Sequence, residues 1–405
     1  MRIESIQNCS PGGPRLHGRR LRGLAGLGLS ALGLTMLAPS AMAGPTIRFG
    51  DESFLTVDYA LQVWGQNRSY SSPTDSGATT DFFLRRNRLT FAGQYNDMIG
   101  YYVQLEAGND GKYGDVDKSV YYRDAYITLD YSDPVRFIVG RFKNTVTREN
   151  LEACLEPLTL DRAEVISYTP FAGSRDTGVA MWGNLFNAHF QYRLMVADGR
   201  EGDNVAQKEP RYSARLHWSF FDPEFEYGYR GTYLGTKTVL TIGAAADYQS
   251  KVAYYDFGLK TDPQDYKGST VDVFYEQPFS IGTFTASAAM MKYDTGNAIN
   301  SPSVDPELPV NSQLEGYYVK AGYLLPNKLG IGRLQLTLRY ESLDYNLDTG
   351  YRDNTWKGVG ANYYIDGQKL KVSAEYAKVE YDKQHPTDPS QQDYKQFTLG
   401  LQFIF

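Results

Sequence analysis

Apolar and polar residues alternate with a period of two along most of this chain, from residue 53 to the end. In the last nine residues, Phe397, Leu399, Leu401, Phe403 and Phe405 fall on one face of an extended strand. An exposed apolar strand promotes aggregation in water, but it suits a surface that meets lipid. The pattern therefore favours a membrane strand, with a buried edge strand of a soluble β-sandwich as the alternative.

Charged residues share this alternation. In residues 332–345, leucines alternate with Thr337, Arg339 and Glu341. A charged side chain in the middle of a membrane strand must point away from lipid, toward a watery lumen. The chain also contains 33 Tyr and 20 Phe, and aromatic residues mark both interfaces of outer-membrane barrels. The pattern therefore predicts an all-β, transmembrane antiparallel β-barrel.

Sixteen segments carry the alternation at lengths near the ~9–11 residues that cross a bilayer at a tilt. The predicted strands are 53–64, 82–95, 99–107, 119–131, 135–142, 177–184, 187–197, 211–219, 237–249, 267–276, 283–293, 315–325, 332–345, 354–365, 368–381 and 394–405. Bacterial single-chain barrels have even strand counts, so sixteen fits this class.

The predicted connections alternate between long and short, as in barrels with long extracellular loops and short periplasmic turns. Asp366-Gly367 is a typical tight hairpin turn on the short side. Only 220–236 is too long for a short position, and misplaced strand boundaries would explain it. The longest connection, 143–176, is the third on the long side, and we expect it to fold into the lumen.

The N-terminus has the pattern of an export signal. Basic residues at 15, 19, 20 and 22 precede an apolar run over 24–37 and the motif Ala41-Met42-Ala43. The run is shorter than the ~20 residues of a comfortable transmembrane helix. We therefore predict a cleaved signal peptide at 1–43 and a single barrel domain at 44–405.

Charge and cysteine content narrow the function. The chain has 41 basic and 47 acidic residues; without 1–43, which holds five basic and one acidic residue, 36 and 46 remain, a formal charge of −10. An acidic protein is a poor nucleic-acid binder. Cys154 is the single cysteine after residue 43, so no internal disulfide forms, and the absence of C-x-x-C-H excludes a c-type haem attachment. We expect no cofactor.

Enzyme and metal motifs are also missing. The chain after residue 43 has only His189, His217 and His385, without H-E-x-x-H, a nucleophile elbow or a phosphate loop. Residues 109–117 are rich in acids and glycine, but Lys112 stands where a calcium loop needs a ligand oxygen. The sequence therefore predicts neither an enzyme nor a metal site.

Two segments resemble the phosphate-selective porin O/P family. Residues 137–143 end in Gly-Arg-Phe-Lys, and residues 175–183 read Arg-Asp-Thr-Gly-Val-Ala-Met-Trp-Gly. In that family such segments flank the third loop. The resemblance implies a sixteen-stranded, trimeric barrel with an inward-folded third loop and basic residues in the pore.

The chain is also similar to the porin encoded in selenite/tellurite reduction operons of metal-respiring bacteria. Residues 82–89, 104–110 and 150–162 carry this similarity. It implies inorganic oxyanions as solutes, and redox partners in the periplasm or outer membrane.

Seven basic residues lie on lumen phases or in the third loop and are our candidates for the pore lining and constriction: Arg86, Arg88, Arg136, Lys143, Arg148, Arg162 and Arg175. Guanidinium groups suit oxyanions because their fork of donors matches two oxygens at once. However, charged residues line any aqueous barrel, and Glu149 and Glu152 share the same loop. Selectivity for anions is therefore one of two interpretations.

Together these features predict a passive porin of the outer membrane for small hydrophilic solutes, including oxyanions such as phosphate, selenite or tellurite. Its expected partners are outer-membrane lipid and lipopolysaccharide, the solutes, and two further copies in a homotrimer. Cys154 either contacts a partner or reacts with an oxyanion, or is a buried, inert thiol. The alternative function is a barrel that sheathes a multihaem cytochrome, although such sheaths generally need more strands.

Overall fold

The computed structural model describes residues 44–71, 77–107, 119–165, 174–202, 205–298, 313–345, 352–384 and 391–405. The predicted signal peptide, the loop at 109–117 and residues 166–173 of the third long connection lie outside these ranges. Among the described residues, no helix is long and apolar enough to span a membrane.

The described chain is almost entirely β-structure. In chain order, its elements are β1 (Thr46–Phe49), β2 (Ser53–Arg68), β3 (Thr79–Gln94), β4 (Ile99–Ala107), β5 (Val120–Ser132), β6 (Val135–Lys143), α1 (Arg148–Leu151), β7 (Arg175–Leu185), β8 (Phe190–Ala197), β9 (Arg211–Ser219), β10 (Val239–Asp256), β11 (Thr261–Phe279), β12 (Gly282–Asp294), β13 (Gln313–Leu324), β14 (Arg333–Asp344), β15 (Asn354–Asp366), β16 (Leu370–Tyr381) and β17 (Tyr394–Ile404).

Strands β2 to β17 form a closed antiparallel barrel of sixteen strands. Each strand pairs with the next along the chain, and β17 pairs with β2 from Gln396↔Arg68 to Ile404↔Ala60. Because the ring is closed, the described barrel has no open sheet edge. In an open sheet, the backbone N–H and C=O groups of the edge strands would face lipid without hydrogen-bond partners. The predicted barrel and all sixteen predicted strands are confirmed, with ends shifted by a few residues.

The strand β1 is an addition that the pattern does not predict. It pairs with the start of β2, from Thr46↔Thr56 to Phe49↔Ser53. On the same side of β2, β1 pairs next to the point where β17 ends. Tyr59 N donates to Phe405 O, and Val57 N, two residues earlier, donates to Pro45 O. Four residues are too few to show a period of two, so β1 was missed.

The two faces of β17 confirm the alternation that its sequence shows. On the outer face, the exposed fractions are 45–52% for Phe397, Leu399, Leu401 and Phe403 and for Phe405, which directly follows the strand. Thr398, Gln402 and Ile404 are buried on the inner face. The outer belt therefore has the composition of a lipid-facing surface, and polar side chains fill the interior.

Two predicted connections differ from the structure. Strands β10 and β11 continue through most of 250–266 and meet in a tight turn after Asp256. Polar residues interrupt the apolar pattern there, so the strands look shorter in sequence than they are. By contrast, 220–236 is a true long connection, and the expectation of misplaced strand boundaries is wrong.

Candidate functional site

Residues 144–165, the described start of the third long connection, lie against inward-facing side chains; we call them the inner segment. Arg85 and Arg86 of β3 both bind Asp161, at 2.6 and 2.7 Å. Lys320 Nζ of β13 binds both Glu149 oxygens, at 2.6 and 2.8 Å. These contacts reach strands far apart around the barrel wall.

Further hydrogen bonds attach the inner segment to the strands between these two contacts. Glu164 N donates to Glu341 Oε2 of β14 at 2.7 Å. Asn362 Nδ2 of β15 donates to Leu158 O at 2.9 Å, and Lys371 Nζ of β16 donates to Leu155 O at 3.1 Å. That the whole third loop folds into the lumen stays a prediction, since 166–173 are outside the described ranges.

A short helix organises the start of the inner segment. Thr147 caps α1, because its hydroxyl accepts from Asn150 N at 2.9 Å. The Asn150 side chain donates to Asn144 O at 3.0 Å and to Ser174 O at 2.9 Å. These bonds join the two ends of the connection, so the inner segment leaves β6 in a fixed direction.

A cavity of about 130 Å³ lies between the inner segment and the barrel wall. Three of the predicted basic residues, Arg88, Lys143 and Arg175, line it together with Cys154. Aromatic side chains such as Tyr102 form much of the remaining lining. The structure thus brings part of the predicted set to one place.

Lys143 carries the least compensated charge in this cavity. Its ammonium donates to two backbone carbonyls, Leu151 O at 3.2 Å and Glu152 O at 2.8 Å. Among the described residues, no carboxylate oxygen lies within 4.0 Å of its nitrogen. The same holds for Arg162, which donates weakly to Asn150.

The two arginines that line the cavity are paired. Arg88 Nε donates to Glu106 at 2.7 Å, and Arg123 binds the other oxygen of the same carboxylate. Arg175 donates from Nε and Nη2 to both oxygens of Asp124, each at 3.1 Å. Glu106 thus serves two guanidinium groups, which leaves a local excess of positive charge.

The positive charge around the cavity affects the Cys154 thiol. It is buried, and Arg123 Nη2 lies 3.9 Å from its sulfur. Burial by itself raises the pKa of the thiol, but the charges of Arg162 and Lys143 outweigh it and hold the pKa well below its usual range. A buried group that is nevertheless stabilised as an anion indicates a positive potential at this site.

The other predicted residues have different surroundings. Arg86 is buried and binds Asp161 and Gln62. Arg148 forms a two-point pair with Glu224, at 2.7 Å for each oxygen. Both attach the inner segment to its neighbours and are not in the cavity.

Arg136 lies apart from the rest. Its Nη2 is 2.9 Å from Asp133, in the turn after β5, and its guanidinium stacks 4.8 Å from the Trp182 ring. Its charge is therefore compensated locally, at the short-turn end of the barrel.

The prediction omitted several inward basic residues. Arg123, Arg193, Arg215 and Lys320 all lie inside, the last three completely buried. Arg193, Arg215 and Lys320 occupy the inward phase of their strands, so the same alternation that predicted the strands would have found them. Arg123 faces inward beside Asp124 because of a β-bulge in β5, which the alternation does not show.

Comparison with known proteins agrees with this architecture. Residues 57–405 match the family described as phosphate-selective porin O and P. A protein of Aquifex aeolicus (strain VF5), described as uncharacterized, is 24% identical over 363 residues, which cover 81% of this chain and 78% of that protein.

Two solved structures have a similar fold. The anion-selective porin from Comamonas acidovorans has a TM-score of 0.59 at 9% identity, covering 87% of this chain and all of that one. The trimer form of OmpT, an outer membrane protein of Vibrio cholerae, has a TM-score of 0.52 at 12% identity, covering 88% and 100%. At such identities the likeness shows the fold alone. The family match covers most of the chain, which therefore belongs to the phosphate-selective porin O and P family and forms an outer-membrane channel for small solutes.

Proposed function

We propose that this channel passes small inorganic anions in preference to cations, and that oxyanions such as phosphate, selenite or tellurite are among its solutes. The observation that carries the proposal is the cavity lined by Arg88, Lys143 and Arg175, where positive charge exceeds that of the lining carboxylates Asp124 and Glu226. Arg162 adds positive charge beside Cys154, from outside the lining. Family membership supports phosphate as a solute, and the fold of an anion-selective porin is similar.

The charges around the cavity support anion passage. Lys143 and Arg162 meet only uncharged oxygen acceptors among the described residues. An arginine that donates to carbonyls keeps its positive charge, because guanidinium stays protonated in proteins, and this charge is available to a passing ion. Two arginines share Glu106, so the remaining pairs do not cancel this excess. An anion that enters the cavity would therefore meet a favourable potential.

The cytochrome sheath finds no support in this interior. The inner segment occupies part of the interior, with Asp161 bound to β3 and Glu149 bound to β13, which lie six strands apart around the ring of sixteen. The sheath requires a wide, empty barrel.

We also infer that the protein is exported with residues 1–43 as its signal and assembles as a homotrimer. The pattern of the N-terminus supports the first inference, and the trimer form of the similar Vibrio cholerae protein supports the second. The apolar belt would contact outer-membrane lipid and lipopolysaccharide. N-terminal sequencing of the outer-membrane form should begin at Gly44, and its native mass should be that of three chains.

Ion selectivity of variants tests the role of the cavity. In planar bilayers with a KCl gradient, Lys143→Gln and Arg162→Gln should each lower the chloride preference, and the double variant should lower it further. The neutral side chains remove positive charge that no carboxylate compensates. Low salt suits this measurement, because at 0.1 M salt the attraction between charges more than ~10 Å apart is largely screened.

Lys357→Gln is the matched control, because Lys357 is exposed on the outer face and paired with Glu380. It should leave the selectivity unchanged. If the double variant conducts with the selectivity of the wild type, the cavity does not select anions and the proposal is wrong.

A further inference from the structure

The connection between β9 and β10 departs from the other turns at its end of the barrel. Its hairpin ladder continues beyond the strands, since Phe220 N donates to Leu240 O at 2.8 Å and Asp222 N donates to Thr238 O at 2.9 Å. Residues 223–237 then leave the ladder; we call them the turn segment. By comparison, the turn at 326–331 is exposed throughout.

The turn segment lies against inward-facing side chains of the wall. The Tyr229 hydroxyl accepts from Arg193 Nη1 at 2.7 Å and from Arg215 Nε at 3.2 Å. Glu276 of β11 accepts from Tyr233 N at 2.9 Å. These strand residues are fully buried, so the turn segment occupies the interior of the barrel.

The turn segment and the inner segment pair through their backbones. Ala153 N donates to Tyr229 O at 2.9 Å, and Tyr229 N donates to Leu151 O at 3.2 Å. Gly231 N donates to Glu156 O at 3.0 Å. The inner segment follows β6 at the long-loop end and the turn segment follows β9 at the opposite end, so segments from both ends meet inside the barrel.

A buried ion pair joins the same two segments. Arg148 of the inner segment binds both oxygens of Glu224, and Tyr233 Oη donates to Glu224 Oε1 at 2.8 Å. Burial alone would raise the pKa of Glu224, but Arg148 lowers it to about 2. Glu224 therefore remains ionised and compensates the charge of Arg148.

We propose that the turn segment is a second constriction-forming element, which narrows the channel together with the inner segment and sets its charge through Glu224. The inference rests on the proposed channel function and adds a specificity-determining residue to it. Loss of the turn segment widens the passage, and neutralising Glu224 uncovers the positive charge of Arg148.

The first test shortens the connection. Asp222 and Thr238 already form the last ladder contact, so residues 223–237 can be replaced by Asn-Gly, a pair suited to a two-residue hairpin. Single-channel conductance in planar bilayers should increase about twofold or more, because one of two narrowing elements is gone. The control shortens the exposed turn at 326–331 by two residues and should conduct as the wild type does.

The second test changes charge and keeps the chain length. Glu224→Gln should shift the reversal potential in a KCl gradient toward greater anion preference, since Arg148 loses its counter-charge. Asp222→Asn, an exposed change beside the same connection, should not shift it. Heat-modifiable migration on gels verifies that each barrel is folded. If the shortened variant does not fold, the selectivity of Glu224→Gln alone decides whether the turn segment sets the charge of the channel.

The outcomes separate the two proposals. A folded wild type that forms no channels overturns the channel function itself. The role of the turn segment alone is overturned if the wild type conducts and either of two results is found. These are unchanged conductance of the shortened variant and unchanged selectivity of Glu224→Gln. Increased conductance and a shift toward anions support it.

Discussion

At the scale of residues, the interior is a set of ion pairs with a few charges left over. Most buried arginines have a carboxylate partner, as Arg175 has Asp124 and Arg148 has Glu224. Burying a charge without such a partner is costly. Lys143 satisfies its donors with carbonyl oxygens instead. Lys143, Arg148 and Arg175 were predicted as residues of the third long connection. The carboxylate partners of the two arginines lie 76 and 51 residues away in sequence, so the pairing was not predictable.

Glu152 makes the charge of the interior dependent on pH. It is completely buried, and burial, with a contribution from Glu149, raises its pKa to about 7 despite the opposing charge of Lys320 4.0 Å away. As the pH falls from 8 to 6, Glu152 becomes neutral and the interior loses negative charge. We expect the anion preference to increase over this range, as measured by the reversal potential.

Glu152→Gln supplies the control for this pH effect. The amide is neutral at every pH, so the variant should show a greater anion preference than the wild type at pH 8 and a smaller change between pH 8 and pH 6. An unchanged pH dependence in the variant would assign the effect to another group.

At the scale of elements, the inner segment and the turn segment enter from opposite ends and fill part of the barrel interior. The period of two predicted the sixteen strands because each strand must separate lipid from water. It could not place β1, which is too short, or the turn segment, whose position depends on contacts with Leu151 and Glu156 across the barrel. The excess length of 220–236 was visible in the sequence, and it was the one sign of this second inward element.

Gly231 tests how closely these elements approach. A Cβ at this position would lie 2.3 Å from Leu158 N and 2.6 Å from Glu152 Oε1. The backbone contact cannot yield without separation of the two segments, and overpacking of this kind costs about 1–3 kcal/mol. Gly231→Val should therefore lower the stability of the folded interior and increase single-channel conductance.

Gly258→Ala is the matched control for Gly231→Val. Gly258 is exposed in the turn between β10 and β11, and an added Cβ meets only an Asp256 oxygen at 3.4 Å. Its conductance should equal that of the wild type. Equal conductance of Gly231→Val would show that the two segments do not bound the passage.

At the scale of the whole molecule, the barrel has its polar residues inside and its apolar residues outside. The C-terminal strand shows both faces, and its pairing with β2 closes the ring. The fold was predictable from the sequence because lipid imposes a strict alternation. The cavity was not, since it depends on how residues from several strands and the inner segment come together.

A charged residue on the outer face tests the lipid belt. Leu399→Arg lies in the middle of β17 and should destabilise the folded barrel by about 2–4 kcal/mol, as for arginine at the bilayer midplane. Phe405→Arg, at the end of the same strand, should cost only about 0–1 kcal/mol, as for arginine near an interface. Urea unfolding in lipid vesicles measures both, and equal costs would contradict the orientation.

The reversal potential of the wild-type channel tests the central claim most directly. The purified protein is inserted into a planar bilayer with a tenfold KCl gradient, and the voltage of zero current is recorded at low salt and pH 7. An anion-preferring channel gives a potential with the sign expected for chloride. A potential with the sign expected for potassium would contradict the account of the cavity and its positive charge.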